Sequence, residues 1–136
     1  MIYTIPLIEE VDISDILLLE GYTQNMEKLA GCVKNRFQCV IDYRGERVGV
    51  IQDGLRLIEP YVIGVNSQGN TVMRAWMVRG ASKSGRINRS LIPGWRIYRV
   101  DRVRMANPTL TKFMVPRRGY NPEDSNMTEV FHYAQF

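Results

Sequence analysis

One histidine, His132, and two cysteines, Cys32 and Cys39, are the only imidazole and thiol groups in 136 residues. The cysteines stand seven apart with no further Cys or His at ligand spacing, which argues against a zinc site. They read as buried thiols in a reducing compartment. No Ser or Cys in a recognisable nucleophile motif accompanies His132, so a triad cannot be built, and His132 reads as a packing or exposed residue. Walker, dinucleotide and His-Glu-x-x-His motifs are missing, and nothing in the sequence pairs the carboxylates. The expectation is a non-enzyme without metal or cofactor. The apolar run Ile16-Leu17-Leu18-Leu19 falls far short of the roughly 20 residues that cross a bilayer. The N-terminus has no basic lead and carries Glu9 and Glu10 early, unlike a secretory signal, so a cytoplasmic protein with no membrane partner is expected.

What is present suits a single globular domain. Hydrophobic residues make up 45% of a 15.7 kDa chain, enough for one core. The net charge of +4 conceals an asymmetry. Residues 1–30 hold six acids (Glu9, Glu10, Asp12, Asp15, Glu20, Glu27) and one base, Lys28, a balance of −5. Residues 86–118 hold nine bases (Arg86, Arg89, Arg96, Arg99, Arg102, Arg104, Lys112, Arg117, Arg118) and one acid, Asp101, a balance of +8. Such a segment points to an anionic partner; an acidic N-terminal region folding back onto it is the structural alternative.

Asp12 and Asp15 have the spacing of a helix cap and its third position, predicting a short helix from Ile13 to Leu19 that Gly21 stops. Thr23 or Asn25 caps a second helix through Met26, Leu29, Ala30 and Val33. Phe37 to Tyr43 reads as a strand. A loop from Arg44 to Gly54, with a short strand at Val48 to Ile51, leads to a long apolar strand, Leu55 to Val65, bulged at Pro60 and Gly64. Asn66-Ser67-Gln68-Gly69-Asn70 is a hairpin turn returning into Thr71 to Val78. After a loop from Gly80 to Pro93, a strand runs from Gly94 to Arg104, broken by Asn107-Pro108. Asn121-Pro122-Glu123-Asp124 reads as a helix start, the helix docking through Val130, Phe131 and Tyr133. The order favours a small, strongly bent antiparallel sheet or barrel flanked by helices.

The strand Trp95 to Arg104 carries the chemistry. Alternation puts Arg96, Tyr98, Val100, Arg102 and Arg104 on one face and Trp95, Ile97, Arg99, Asp101 and Val103 on the other. Arginine forks grip phosphate oxygens in pairs, and aromatic faces stack bases. Arg74 and Trp76 share a face of the preceding strand and extend the set. The structural alternative is a salt-bridged sheet in which Asp101 pairs with Arg99 or Arg102 and Tyr98 and Trp95 are core.

The stretch from Phe37 to Val103 resembles a WYL domain, through Ile58-Glu59-Pro60-Tyr61-Val62-Ile63-Gly64-Val65, Gly69-Asn70-Thr71-Val72-Met73-Arg74-Ala75-Trp76 and, most specifically, Arg96-x-Tyr98-Arg99-Val100-Asp101-Arg102-Val103. The tripeptide that names the family falls at Thr71-Val72-Met73 and is not preserved. Residues 1–23 are too short for the helix-turn-helix usual upstream, so the resemblance is to stand-alone versions associated with phages and mobile elements. It implies a small Sm-like (SH3-like) β-barrel with flanking N- and C-terminal helices: a helical lead-in at 1–35, the barrel at 36–105 and a tail with a short helix at 106–136. It also implies a regulatory binding module that holds single-stranded DNA, RNA or a nucleotide-like ligand through Arg96, Arg99 and Arg102, with Arg74 and Arg104 assisting and Tyr98, Trp76 or Trp95 stacking. The other expectation is an assembly module, an Sm-like barrel that oligomerises through its edge strands or meets an acidic partner protein.

Overall fold

The computed structural model describes residues 13–45, 54–81 and 92–136. A helix, α1 (Ile13–Asn35), precedes six strands: β1 (Phe37–Tyr43), β2 (Gly54–Val65), β3 (Thr71–Ala81), β4 (Gly94–Arg99), β5 (Val103–Lys112) and β6 (Glu129–Tyr133). All pair antiparallel, in the order β4-β3-β2-β1-β5, with β6 joined to β2 outside that path. The protein is mainly β, one sheet with an N-terminal helix.

α1 is one helix where two were expected, because both prospective caps find other partners. The Thr23 hydroxyl donates to the Leu19 carbonyl one turn back, at 2.9 Å, a bond made inside a helix. The Asn25 amide reaches the Val103 carbonyl at 3.0 Å. Asn25, Leu29, Cys32 and Val33 form the buried stripe, at the three- and four-residue intervals that keep one helical face on the sheet. Cys32 contacts Cys39 of β1, and that contact with burial pushes the Cys39 thiol up, so it stays protonated.

β2 and β3 form the central hairpin. Its turn is held by the Asn66 side-chain oxygen, which accepts from the amides of Gln68 and Asn70, with Gly69 at φ +80°. β2 changes neighbours along its length: Gly54–Ile58 pairs with β1 and Val62–Val65 with β6.

The arginine-rich segment is not one strand. Val100–Arg102 forms a 3-10 turn between β4 and β5. Tyr98, Val100 and Val103 all enter the core, so two-residue alternation fails across the turn. β4 and β5 lie at opposite ends of the five-strand path, yet three residues join them, and the sheet has to bend sharply to allow it. Asn107-Pro108 does not break the chain either. β5 pairs only with β1 among the described strands, and an edge strand tolerates a proline with no N–H to give. The Thr109 hydroxyl ties it to the Gln38 carbonyl at 2.9 Å.

The helix expected after Asn121 is absent; turns lead instead to β6. Asn121 accepts from the Glu123 amide in a local turn at 2.9 Å. The following residues then pair with β2, whose Gly64 leaves the space: a Cβ there would collide with the Glu129 carbonyl and stand 2.8 Å from Met127 Sδ. Sheet pairing prevails over the capping signal. The short strand expected at Val48–Ile51 and most of the Gly80–Pro93 loop fall outside the described residues. Among the described residues no helix is long and apolar enough to cross a membrane.

A candidate ligand cleft under the C-terminal segment

Cross-strand pairs share a face of a sheet, and Glu59, Trp76 and Trp95 form one such row across β2, β3 and β4. Arg74, two residues before Trp76, pairs with Ile97 on the same face. The chain after β5 lies over this row. Its anchor is Glu59, 2% exposed in an otherwise apolar stretch of β2. A buried carboxylate has to be paired and hydrogen-bonded, and Glu59 takes Nε and Nη2 of Arg117 at 2.8 and 3.1 Å, the Gln38 amide at 3.0 Å and the Tyr61 hydroxyl at 3.3 Å. The guanidinium of Arg117 also lies 5.2 Å over the Trp76 ring. The hydrogen bonds that Arg117 donates to Glu59 hold its guanidinium above the ordinary arginine range.

Three further contacts fix the segment. Trp95 Nε1 donates to the Arg118 carbonyl at 2.9 Å. Gly119 follows at φ +91°, where a Cβ would stand 3.2 Å from the same indole nitrogen, so both conformation and contact favour glycine. The Tyr120 hydroxyl donates to the Ala134 carbonyl at 2.7 Å, and burial pushes it up to about 12.

Between the segment and the sheet is a cleft of about 320 Å³, lined by Arg74, Trp95, Tyr120, Asn121, Asp124 and Asn126 among others. Its rings, Trp95 and Tyr120, are near-parallel at 27° with centroids 6.5 Å apart. Its charge is Arg74, which grips Asp124 through two bonds, Nε–Oδ2 at 2.7 Å and Nη2–Oδ1 at 3.2 Å, and also donates to Asn126 Oδ1 at 2.8 Å. Burial alone would raise the Asp124 carboxyl. The bonds from Arg74 and the Asn126 amide, with the Arg74 charge, outweigh it and hold the group below the usual aspartate range.

The residues singled out from the sequence do not converge on one surface. Arg74 and Trp76 do share a face, with Trp95 beside them. Arg96 and Tyr98 pair with Ala75 and Met73 on the other face. Tyr98 is 1% exposed and packs edge-on against Tyr43 with centroids 4.8 Å apart; it has no open face for a base. Burial pushes its hydroxyl up to about 12. The Arg96 guanidinium bonds the Trp95 and Ile92 carbonyls. Arg99 clasps Asp101 at 3.0 and 2.6 Å, the pairing that the structural alternative anticipated. Arg102 lies in the 3-10 turn with Nη1 3.4 Å from the Gly45 carbonyl, and Arg104 is exposed beyond it on β5.

Sequence reasoning missed Glu59, Arg117, Tyr120, Asn121, Asp124 and Asn126 as members of a site. One signal was available: a lone glutamate amid the apolar residues of β2 demands a cationic partner. Among the described residues no three His, Cys, Asp or Glu side chains group as metal ligands. No family model, curated protein or solved structure matches the chain.

Proposed function

We propose that the chain is a non-catalytic binding module whose Arg74 cleft takes a nucleotide-like ligand, on a sheet bent into an Sm-like barrel of the WYL kind. The observation that carries this reading is the meeting, in one cleft, of a guanidinium, two near-parallel aromatic rings and two side-chain amides. A phosphate engages the Arg74 fork. A base lies against Trp95 and Tyr120, each base–ring contact being worth about 1–3 kcal/mol. Asn121 and Asn126 offer donors and acceptors to its polar edge. The barrel reading is supported by the three-residue link between β4 and β5 and by α1 packing on β5, β2 and β1.

A mononucleotide fits this arrangement better than an extended strand of nucleic acid. The arginine segment that would track a backbone is broken by the Val100–Arg102 turn and has Tyr98 buried, so its side chains do not line one face. Asp124 occupies the Arg74 fork, so a phosphate has to exchange with it. That exchange loosens the 119–126 segment and gives binding a regulatory output.

Calorimetric titration with adenosine, guanosine, cytidine and uridine monophosphates, beside a short single-stranded oligothymidylate, tests this. Saturable mononucleotide binding that Arg74→Ala and Trp95→Ala each weaken tenfold or more is expected. Tight oligonucleotide binding that ignores both substitutions but falls with Arg102→Ala would move the site to the arginine segment. No heat with any of these ligands would overturn the reading in favour of a protein partner.

A further inference from the structure

β5 does not follow β1 evenly. Phe37 pairs with Lys112 and Cys39 with Pro108, so one residue of β1, Gln38, faces three of β5, Thr109 to Thr111. The extra residues bulge out of the ladder, and a bulge re-aims a side chain. This one is held in place: the Thr109 hydroxyl donates to the Gln38 carbonyl at 2.9 Å and accepts from the Thr111 amide at 3.2 Å. Between the two threonines stands Leu110, 93% exposed, the most exposed large apolar side chain among the described residues. Phe113 follows, buried, with its amide on the Arg36 carbonyl at 2.9 Å. Met114 and Val115 emerge beside that anchor, 61% and 75% exposed.

We propose that this end of the protein docks on an anionic lipid bilayer without crossing it. Leu110, Met114 and Val115 enter the boundary between headgroups and acyl chains, and the bases around them meet lipid phosphate. Charge is the first argument. Segments 28–41 and 102–118 build this end, and neither contains an acid. Lys34 lies in the last turn of α1, Arg36 leads into β1, and Lys112 pairs opposite Phe37. Among the described residues none of the three is ion-paired. Arg36 and Lys112 lie 5.5 Å over the Phe136 and Phe37 rings, contacts that leave their charge uncancelled. Bases clustered beside apolar side chains are what an anionic leaflet attracts. Shape is the second argument. A side chain as exposed as Leu110 is a projection, and a protein partner would need a hollow of matching outline to bury it. The fluid acyl boundary takes a projection of any outline. A single strand of nucleic acid stacks on aromatic faces, and the projecting side chains here are aliphatic.

Flotation of the full chain with vesicles of phosphatidylcholine, and with vesicles of phosphatidylcholine and phosphatidylglycerol in equal parts, tests this. Binding to the mixed vesicles alone is expected, weakening as salt rises. Leu110→Ser, which removes apolar surface without adding charge, and Lys112→Glu are each expected to weaken it several-fold with an unchanged circular dichroism spectrum. Both cysteines of the chain are buried, so a bimane label goes to an introduced thiol. On Leu110→Cys its emission is expected to shift to the blue with the mixed vesicles, and on Glu20→Cys to stay unchanged. Flotation with neither vesicle would overturn the proposal. Binding that Leu110→Ser leaves intact, or a blue shift at Glu20→Cys in place of Leu110→Cys, would also overturn it. Binding that soluble oligothymidylate competes away, with no shift at Leu110→Cys, would overturn it in favour of a nucleic-acid partner.

Discussion

Arg74 and Asp124 meet across 50 residues of chain through two parallel hydrogen bonds, the shorter 2.7 Å. The side chains are 21% and 8% exposed, so water screens the pair poorly. The contact closes one wall of the cleft, and it holds a carboxylate where an incoming phosphate would bind. On the proposed function, structure and ligand selection would share one guanidinium.

Replacing Asp124 with Asn separates those roles. The amide keeps the volume but loses the charge, and a broken, largely buried charge-assisted pair costs about 1–3 kcal/mol. Thermal denaturation is expected to register that loss. Calorimetry is expected to register the opposite sign for binding, with adenosine monophosphate held several-fold more tightly because Arg74 no longer has a competing anion. Weaker binding in this variant would mean that Asp124 contacts the ligand directly.

Glu59 and Arg117 form the second clamp, and its cost is asymmetric. Removing Arg117 leaves Glu59, 3% exposed at its side chain, with its charge uncompensated, and breaking a buried pair from one side costs about 3–5 kcal/mol. Glu59→Gln keeps hydrogen-bonding capacity and should cost less. The double variant Glu59→Leu with Arg117→Leu should lose clearly less than the sum of the two single leucine variants, as a chemical-denaturation double-mutant cycle would register.

Asp124 bears on the acid limit, and Tyr98, with Tyr61 and Tyr120 raised alike, on the alkaline one. Asp124 has a folded value below its unfolded one, so its contribution is complete above the unfolded aspartate range, about 3.9, and is lost as pH falls through the lower folded value. Loosening of the 119–126 segment on acidification, followed by Trp95 fluorescence, is expected only below about pH 4. Tyr98 has the opposite sense. Its folded value of about 12 lies above the ordinary 10.0, so its contribution is complete below pH 10 and disappears as pH rises toward 12. The difference is worth about 3 kcal/mol. Tyrosinate absorbance should show these tyrosines ionising together with unfolding, and Tyr98→Phe should reduce that alkaline step by the share of Tyr98.

Gly64→Ala probes the attachment of β6. The added methyl meets the Glu129 carbonyl and Met127 Sδ, and backbone does not yield as a flexible side chain does. A loss of about 1–3 kcal/mol is expected. Hydrogen exchange should rise at Thr128 and Ala134, whose amides donate to the Val65 and Tyr61 carbonyls, while β1 and β5 stay protected.

Much of the sheet was legible because its signals are local. The apolar run of β2, the Asn66–Asn70 turn and the β3 return depend on near neighbours in the chain, and the buried face of α1 follows from the spacing of Met26, Leu29 and Val33. Arg74 and Trp76 were also placed on one face, since alternation holds along an uninterrupted strand, whereas the pairing of Trp76 with Trp95 came from the structure. Other outcomes were set by groups far apart in sequence. Whether Asn25 caps a helix or bonds Val103 depends on a carbonyl 78 residues away. Whether Asn121 starts a helix depends on the room that Gly64 leaves for β6. The turn at Val100–Arg102 follows from the need of one chain to pass from one sheet edge to the other, which no dipeptide reports. The arginines show the division most plainly. Sequence alone determined that the 86–118 segment is strongly basic and that Asp101 has arginines within two residues of it; only the tertiary structure decided that Arg117 is spent on Glu59. A carboxylate neutralises a guanidinium by proximity in space, and proximity between residues 50 or more apart is a property of the fold.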